Sequence, residues 1–263
     1  MTILDQIIVR KREEVQAAKI SASPSELMRM DGFGLPCLSL KESVLHPERN
    51  GIIAEFKRAS PSQGIINNHS PLADVLKGYE EGGASAVSVL TDQAFFGGTL
   101  ADLVEARRTV NIPILRKDFI IDPYQITEAK AYGADVILLI AAALTNSEVK
   151  AYSEYAKSLG LYVLLEVHNA EELDGNLLES IDAIGVNNRN LHTFKVDIAH
   201  SIALVKQIPD TFLKISESGL SEVSTVIALR EAGFQGFLMG EHFMKAENPG
   251  QELSQFASKL KNS

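Results

Sequence analysis

Five ionisable side chains stand at the ends of apolar runs in this sequence. Glu55 and Lys57 close IIAEFK, Lys117 closes IPILRK, Glu166 lies in YVLLEV and Glu217 follows FLKIS. In an extended strand, residues two apart share a face. By that parity Ile53, Glu55 and Lys57 form one set, Leu115 and Lys117 a second, and Tyr162, Leu164 and Glu166 a third. Gly185, Asn187 and Arg189 form a fourth, and Ile215 with Glu217 a fifth. Each set ends in a charged or amide group on its C-terminal side. A lone lysine or glutamate there reads most simply as a solvated side chain. Two lysines and three glutamates sharing the inward parity read differently. Charges drawn out of water cost free energy unless they pair, and they are retained chiefly at functional sites. Ammonium and carboxylate groups converging on one mouth are the equipment of acid–base chemistry. Arg116 and Asp118 have the opposite parity, which makes them structural partners of the surrounding helices.

Anion-holding features accompany that set. SPSQG (60–64) is a polar loop that leaves Lys57 and Ser60 within reach of an anion. ESGL (217–220), with Ser218 and Gly219, and MGEH (239–242), with Gly240 and Glu241, each follow an apolar run. Backbone N–H groups at such turns grip phosphate before a helix N-terminus, although a single glycine would equally serve a tight turn. Glu241 could help an anion only through its backbone. Other chemistries lack support. The six histidines show neither HExxH nor another metal spacing, and His168 is expected in a loop or helix-cap role. No serine sits in a G-x-S-x-G elbow, and there is no Walker or G-x-G-x-x-G motif.

What must position these groups is a repeated strand–helix unit. Eight apolar runs recur: IIAEF (52–56), SAVSVL (85–90), IPILR (112–116), ADVILLI (134–140), YVLLEV (162–167), AIGV (183–186), FLKIS (212–216) and GFLMG (236–240). Runs apolar throughout are buried on both faces, as strands of parallel sheets are. Between them lie stretches with helix punctuation: PLADVLKGYEE after Ser70, YQITEAKAY after Asp122-Pro123, 146–160 and 221–233, each stopping at glycine. The pattern predicts an α/β fold, a (β/α)8 TIM barrel, which keeps its chemistry at the C-terminal ends of the strands. A doubly wound open sheet is the competing architecture. Residues 1–50 are read as an N-terminal helical extension packed on the barrel of residues 51–263, the whole a single domain. Leu4, Ile7, Ile8 and Val15 are spaced for one helix face, and no linker separates them from Gly51.

The chain has 263 residues, 34 acidic against 25 basic side chains, a formal charge of −9 and 45% hydrophobic residues. That composition supports a large core and argues against nucleic acid or anionic membrane as a partner. The single cysteine, Cys37, permits no internal disulfide and no Cys-based zinc site. No apolar run reaches the length of a membrane span, and the N-terminal stretch lacks the core of a secretory signal. The expectation is a cytoplasmic protein, a monomer rather than an obligate oligomer.

The blocks IIAEFKRASPSQG, SVLTDQAFFGG, PILRKDFIIDPYQITEAKAYGAD, LLEVHN, IGVNNRNL, ISESG and LMGE, with the N-terminal ILDQIIVRKREEV, run in the order of a known family. Together they resemble indole-3-glycerol phosphate synthase, a ring-closing enzyme of tryptophan biosynthesis. The resemblance implies a small phosphorylated substrate, 1-(2-carboxyphenylamino)-1-deoxyribulose 5-phosphate, closed with loss of carbon dioxide and water and without metal or organic cofactor. It implies Lys117 as general acid, Glu166 as general base and Lys57 as the cation on the substrate carboxylate. Glu55 and Glu217 would orient the lysines, and Asn187 would steady an oxyanion or a hydroxyl. Phosphate would fall to Ser60, Ser218, Gly219, Gly240 and the Glu241 backbone, with Arg189 or Lys57 nearby. The aromatic ring would fall to Pro61, Phe96, Phe119, Leu138 and Leu191. Which lysine serves the dehydration stays open. Two rival classes fit the same barrel: a phosphosugar isomerase or Schiff-base aldolase, the latter needing a lysine of lowered pKa, and a binder of a phosphorylated metabolite, which has no use for inward acids and bases.

Overall fold

Eight parallel strands close on one another in chain order. The structure, a computed structural model, describes residues 2–190 and 195–262. Strands β1 (Ile52–Phe56), β2 (Ala86–Leu90), β3 (Ile114–Lys117), β4 (Val136–Ile140), β5 (Tyr162–Val167), β6 (Ala183–Asn187), β7 (Leu213–Glu217) and β8 (Gly236–Met239) each pair with the next, and β8 pairs with β1. They nearly coincide with the apolar runs, and the barrel is the architecture that covers both faces of such strands. Parity divides the core as expected. Ile53, Leu115, Leu138, Leu164, Ala183, Ile215 and Leu238 pack inside the ring. Alternate residues such as Ile52, Val87, Ile137, Val163 and Ile184 pack outward with the helices.

Helix α1 (Ile3–Ser21) precedes the barrel. Helices α2 (Leu72–Glu81), α3 (Leu100–Thr109), α4 (Pro123–Ala131), α5 (Asn146–Ser158), α6 (Ala170–Asp174), α7 (Ile198–Leu204), α8 (Val223–Ala232) and α9 (Pro249–Lys261) follow β1 to β8 in turn. The Asp122 side chain accepts the Tyr124 N–H at the start of α4, where Pro123 needs no donor. Helix α8 starts at Val223 rather than at Ser221. Glu222 takes the N-cap position with extended backbone and no side-chain bond, so Ser221 stays in the loop. A short hairpin, Ala59–Ser60 against Gly64–Ile65, rises from the end of β1 without having been foreseen.

The N-terminal extension covers both ends of the ring. A short helix, Leu40–Val44, inserts Leu40 and Val44 into the interior cluster beside Gly236, where β8 begins. Helix α1 lies at the opposite end, where Ile3, Leu4 and Ile7 meet the cavity at the strand C-termini. Its buried stripe is Ile7, Lys11 and Val15, while Leu4 and Ile8 are only partly buried. A lysine therefore occupies the centre of an apolar face. Its Nζ lies 2.8 Å from Asp118 and 2.9 Å from Asp92, which explains its burial. Among the described residues, no helix is long and apolar enough to cross a membrane.

Candidate active site

The C-terminal ends of the strands open onto a cavity of about 540 Å³. The ionisable ends of the parity sets form its floor. Lys117 Nζ lies 3.4 Å from Glu166 Oε2 and 3.9 Å from Glu217 Oε2. Lys57 Nζ lies 2.8 Å from Glu55 Oε1, and Ser88 Oγ donates to Glu55 Oε2 at 3.3 Å. Asn187 Nδ2 donates to Glu166 Oε1 at 3.0 Å, while its Oδ1 accepts the Arg189 N–H at 3.0 Å. Strand register staggers them by two residues: Glu166 stands opposite Gly185, and Asn187 opposite Glu217.

Crowding sorts the protons. Burial alone would strip Lys117, but the charges of Glu166, Glu217 and Glu55 outweigh it and hold the ammonium above the usual lysine range. Burial opposes ionisation of Glu166 too, yet Lys117, then His168 and the Asn187 hydrogen bond, keep it below the ordinary glutamate value. Glu217 goes the other way. Burial and the charge of Glu166 push it up to about 8, against the pull of Lys117. The floor therefore favours an ionised Lys117–Glu166 pair, with Glu217 beside it holding its proton more tightly than an ordinary glutamate. Gly185 makes that arrangement possible, because a Cβ there would collide with Glu217 Oε1.

The residues expected to hold an anion also line the cavity: Ser60 comes from the hairpin, next to Pro61, and Ser218, Gly219 and Gly240 from the last two strand ends. Ser218 and Gly219 both have φ +71°, and among the described residues Ser218 is the one non-glycine with positive φ. A left-handed serine costs on the order of 1 kcal/mol, which the surrounding turn must offset. Glu241 is less hostile to an anion than its charge implies. Lys245 Nζ holds Oε1 at 2.6 Å and Arg189 Nη2 lies 3.7 Å from Oε2, tying the carboxylate back. The apolar side holds Phe96 and Phe119, ring centroids 6.1 Å apart, with Leu138 below.

Every described residue expected in the site borders this cavity; Leu191 lies outside the described residues. Arg116 and Asp118 behave as their parity requires. Arg116 Nη2 lies 2.8 Å from Glu128 of α4 and 3.0 Å from Asp118, which receives Lys11. Lining residues not foreseen include Ile3, Leu4 and Ile7 of α1, and Lys245. The apolar spacing of α1 was visible, but not what that face covers. His168 does sit in the loop between β5 and α6, and its ring also reaches Glu166. Among the described residues, no group of His, Cys, Asp and Glu is arranged to hold a metal ion.

A sequence model of the family described as indole-3-glycerol phosphate synthase matches residues 4–256. The chain is 48% identical over 255 residues to the indole-3-glycerol phosphate synthase of Bacteroides thetaiotaomicron, covering 97% of each chain. It is 43% identical over 258 residues to that of Burkholderia ambifaria, covering 96% of this chain and 97% of the relative. A solved structure described as "Native KDPGal structure" superposes with a TM-score of 0.57 at 15% identity, covering 80% of this chain and 92% of the other, a likeness of fold alone.

Proposed function

Because the chain belongs to the indole-3-glycerol phosphate synthase family, we propose that it closes 1-(2-carboxyphenylamino)-1-deoxyribulose 5-phosphate to indole-3-glycerol phosphate, with Lys117 as general acid and Glu166 as general base. The aromatic carbon bearing the carboxylate supplies the electron pair for the new bond to C2′. The carbonyl electrons move onto oxygen, which takes a proton from Lys117. An alkoxide forming in a water-poor site is basic enough to draw that proton even from a lysine whose ammonium is stabilised by its neighbours. Loss of carbon dioxide returns its bonding pair to the ring and restores aromaticity. The C2′ hydroxyl then leaves as water, protonated by one of the two lysines, while Glu166 takes the C1′ proton and the C1′–C2′ double bond forms.

The other site residues serve this sequence. Lys57, steered by Glu55, holds the substrate carboxylate until it departs. Asn187 fixes the angle of Glu166. Phosphate rests on Ser60, the Ser218–Gly219 turn and Gly240, and the ring lies against Phe96 and Phe119. The proposal is supported above all by the Lys117–Glu166 pair, 3.4 Å apart on the cavity floor. A Schiff-base aldolase would need a neutral lysine amine, whereas the carboxylates of Glu166 and Glu55 hold Lys117 charged.

The test is direct, since the chain contains no tryptophan and carries no indole emission of its own. Purified protein given the carboxyphenylamino sugar phosphate should generate indole fluorescence at the same rate with or without a chelator. Lys117→Ala should lower kcat by about a thousandfold, with KM little changed. A Lys117→Ala variant turning over at nearly the wild-type rate would move the acid to another residue.

A further inference from the structure

His168 stands two residues beyond Glu166, behind the carboxylate and outside the cavity lining. Its Nε2 is buried, makes no hydrogen bond among the described residues, and lies 3.4 Å from Glu166 Oε1. Its Nδ1 lies 3.3 Å from Glu172 Oε2, an oxygen that also accepts the His168 backbone N–H at 2.8 Å. Asn169 Nδ2 donates to the other oxygen of Glu172 at 2.8 Å, so that carboxylate is fixed at both ends. His200 Nε2 reaches the His168 carbonyl at 2.8 Å and pins the backbone. Both ring nitrogens thus face carboxylate oxygens. A neutral imidazole would set a lone pair against one of them, whereas the imidazolium turns an N–H toward each carboxylate and attracts both by charge.

We infer that His168, clamped by Glu172, is a positioning residue that keeps Glu166 ionised and aimed into the cavity. The inference rests on Glu166 being the base. Its value lies in timing. When Lys117 gives its proton to the substrate, Glu166 loses the positive charge that balanced it at 3.4 Å. A second cation behind the other oxygen preserves the carboxylate for the later proton abstraction. The groups facing the imidazole agree with this charge. Burial disfavours it, but Glu172 on α6, Glu166 on β5 and Glu217 on β7 outweigh burial and hold the ring above the ordinary histidine value. Lys117 lies on the far side of Glu166, against its Oε2.

His168→Gln keeps a donor at the site but removes the cation, so the pKa of Glu166 should rise. The acidic limb of the kcat–pH profile should move up by about one pH unit, with KM within about twofold of wild type. Glu172→Gln should move the limb the same way, and the double variant no further than His168→Gln. A loosened fold would lower kcat at every pH and leave the limb in place. An unmoved limb in His168→Gln, with Glu166→Gln inactive, overturns the inference and leaves the base assignment standing. Glu166→Gln turning over normally removes both. If His168→Gln does not fold, nitrogen-15 NMR of the wild-type histidines decides: a protonated His168 ring at pH 7 that Glu172→Gln makes easier to deprotonate supports the inference, and a neutral ring overturns it.

Discussion

Between Lys117 on one side and Gly185 on the other, the Glu217 carboxyl has one oxygen 3.9 Å from an ammonium and the other buried without a hydrogen bond among the described residues. A carboxyl so placed, pushed up to about 8 by burial and by Glu166, acts near neutral pH as an uncharged group. An amide has nearly the same shape and charge. Glu217→Gln should therefore keep kcat near pH 7 within about tenfold of wild type and flatten any decline in rate toward alkaline pH. Gly185→Ala leaves every ionisable group in place, yet its methyl group takes the space of Glu217 Oε1. It should cost more in kcat than Glu217→Gln, because the displaced carboxyl presses on the Lys117–Glu166 pair. Rates of the two variants across pH check both statements; a Glu217→Gln enzyme as inactive as Lys117→Ala would show that the ionised form is required.

Helix α1 shows how an element reaches the chemistry from outside the barrel. Lys11 Nζ bonds Asp118, the neighbour of Lys117, and Asp92, which caps a short helix (Gln93–Phe96) ending in a phenylalanine that lines the cavity. Burial would discharge Lys11, but Asp118 and Asp92 hold it well above the usual lysine range. Lys11→Met leaves those carboxylates buried without their cation. It should cost about 3–5 kcal/mol, read as a lower urea midpoint, and raise KM as Ile3, Leu4 and Ile7 shift from the cavity. Unchanged stability and KM would mean that α1 docks through its apolar residues alone. This clasp also marks where the sequence stopped being legible. Period-two parity told Lys117 from Arg116, and continuous apolar runs implied a parallel sheet buried on both faces, because both follow from local strand geometry, while closure rested on the count of eight units. Lys11 looked like any exposed lysine beside Arg10 and Arg12, since its partners lie far along the chain. Lys245 was invisible for a similar reason: its importance comes from Glu241, one helical turn earlier and tied back from the cavity.

The same buried charges set how the whole molecule responds to pH. Glu166, Glu172 and Asp118 hold protons less tightly folded than unfolded, despite burial, because Lys117, His168, Arg116 and Lys11 stand beside them. The stability they contribute is present above the ordinary carboxylate pKa and lost as pH falls below it. Glu217 and His168 bind protons more tightly when folded. The contribution of Glu217 is complete below 4.5 and is lost as pH rises to about 8, and that of His168 is complete below 6.5 and lost at higher pH. The opposing slopes place maximum stability just above the ordinary carboxylate pKa of 4.5, with a decline from there toward neutral pH. We propose that the extension and barrel unfold as one unit, since α1 and the Leu40–Val44 helix are bound to opposite ends of the ring, so one urea transition should report the whole effect. Stability should fall by up to a few kcal/mol from about pH 6 to about pH 8, and Glu217→Gln should remove much of that slope. A flat wild-type profile over that range, or an equal slope in the variant, would mean that Glu217 ionises normally in the folded protein. The molecule thus gives up stability at neutral pH to keep three carboxylates and two lysines crowded around one cavity, and removing a carboxylate charge should relieve that cost while altering the chemistry it serves.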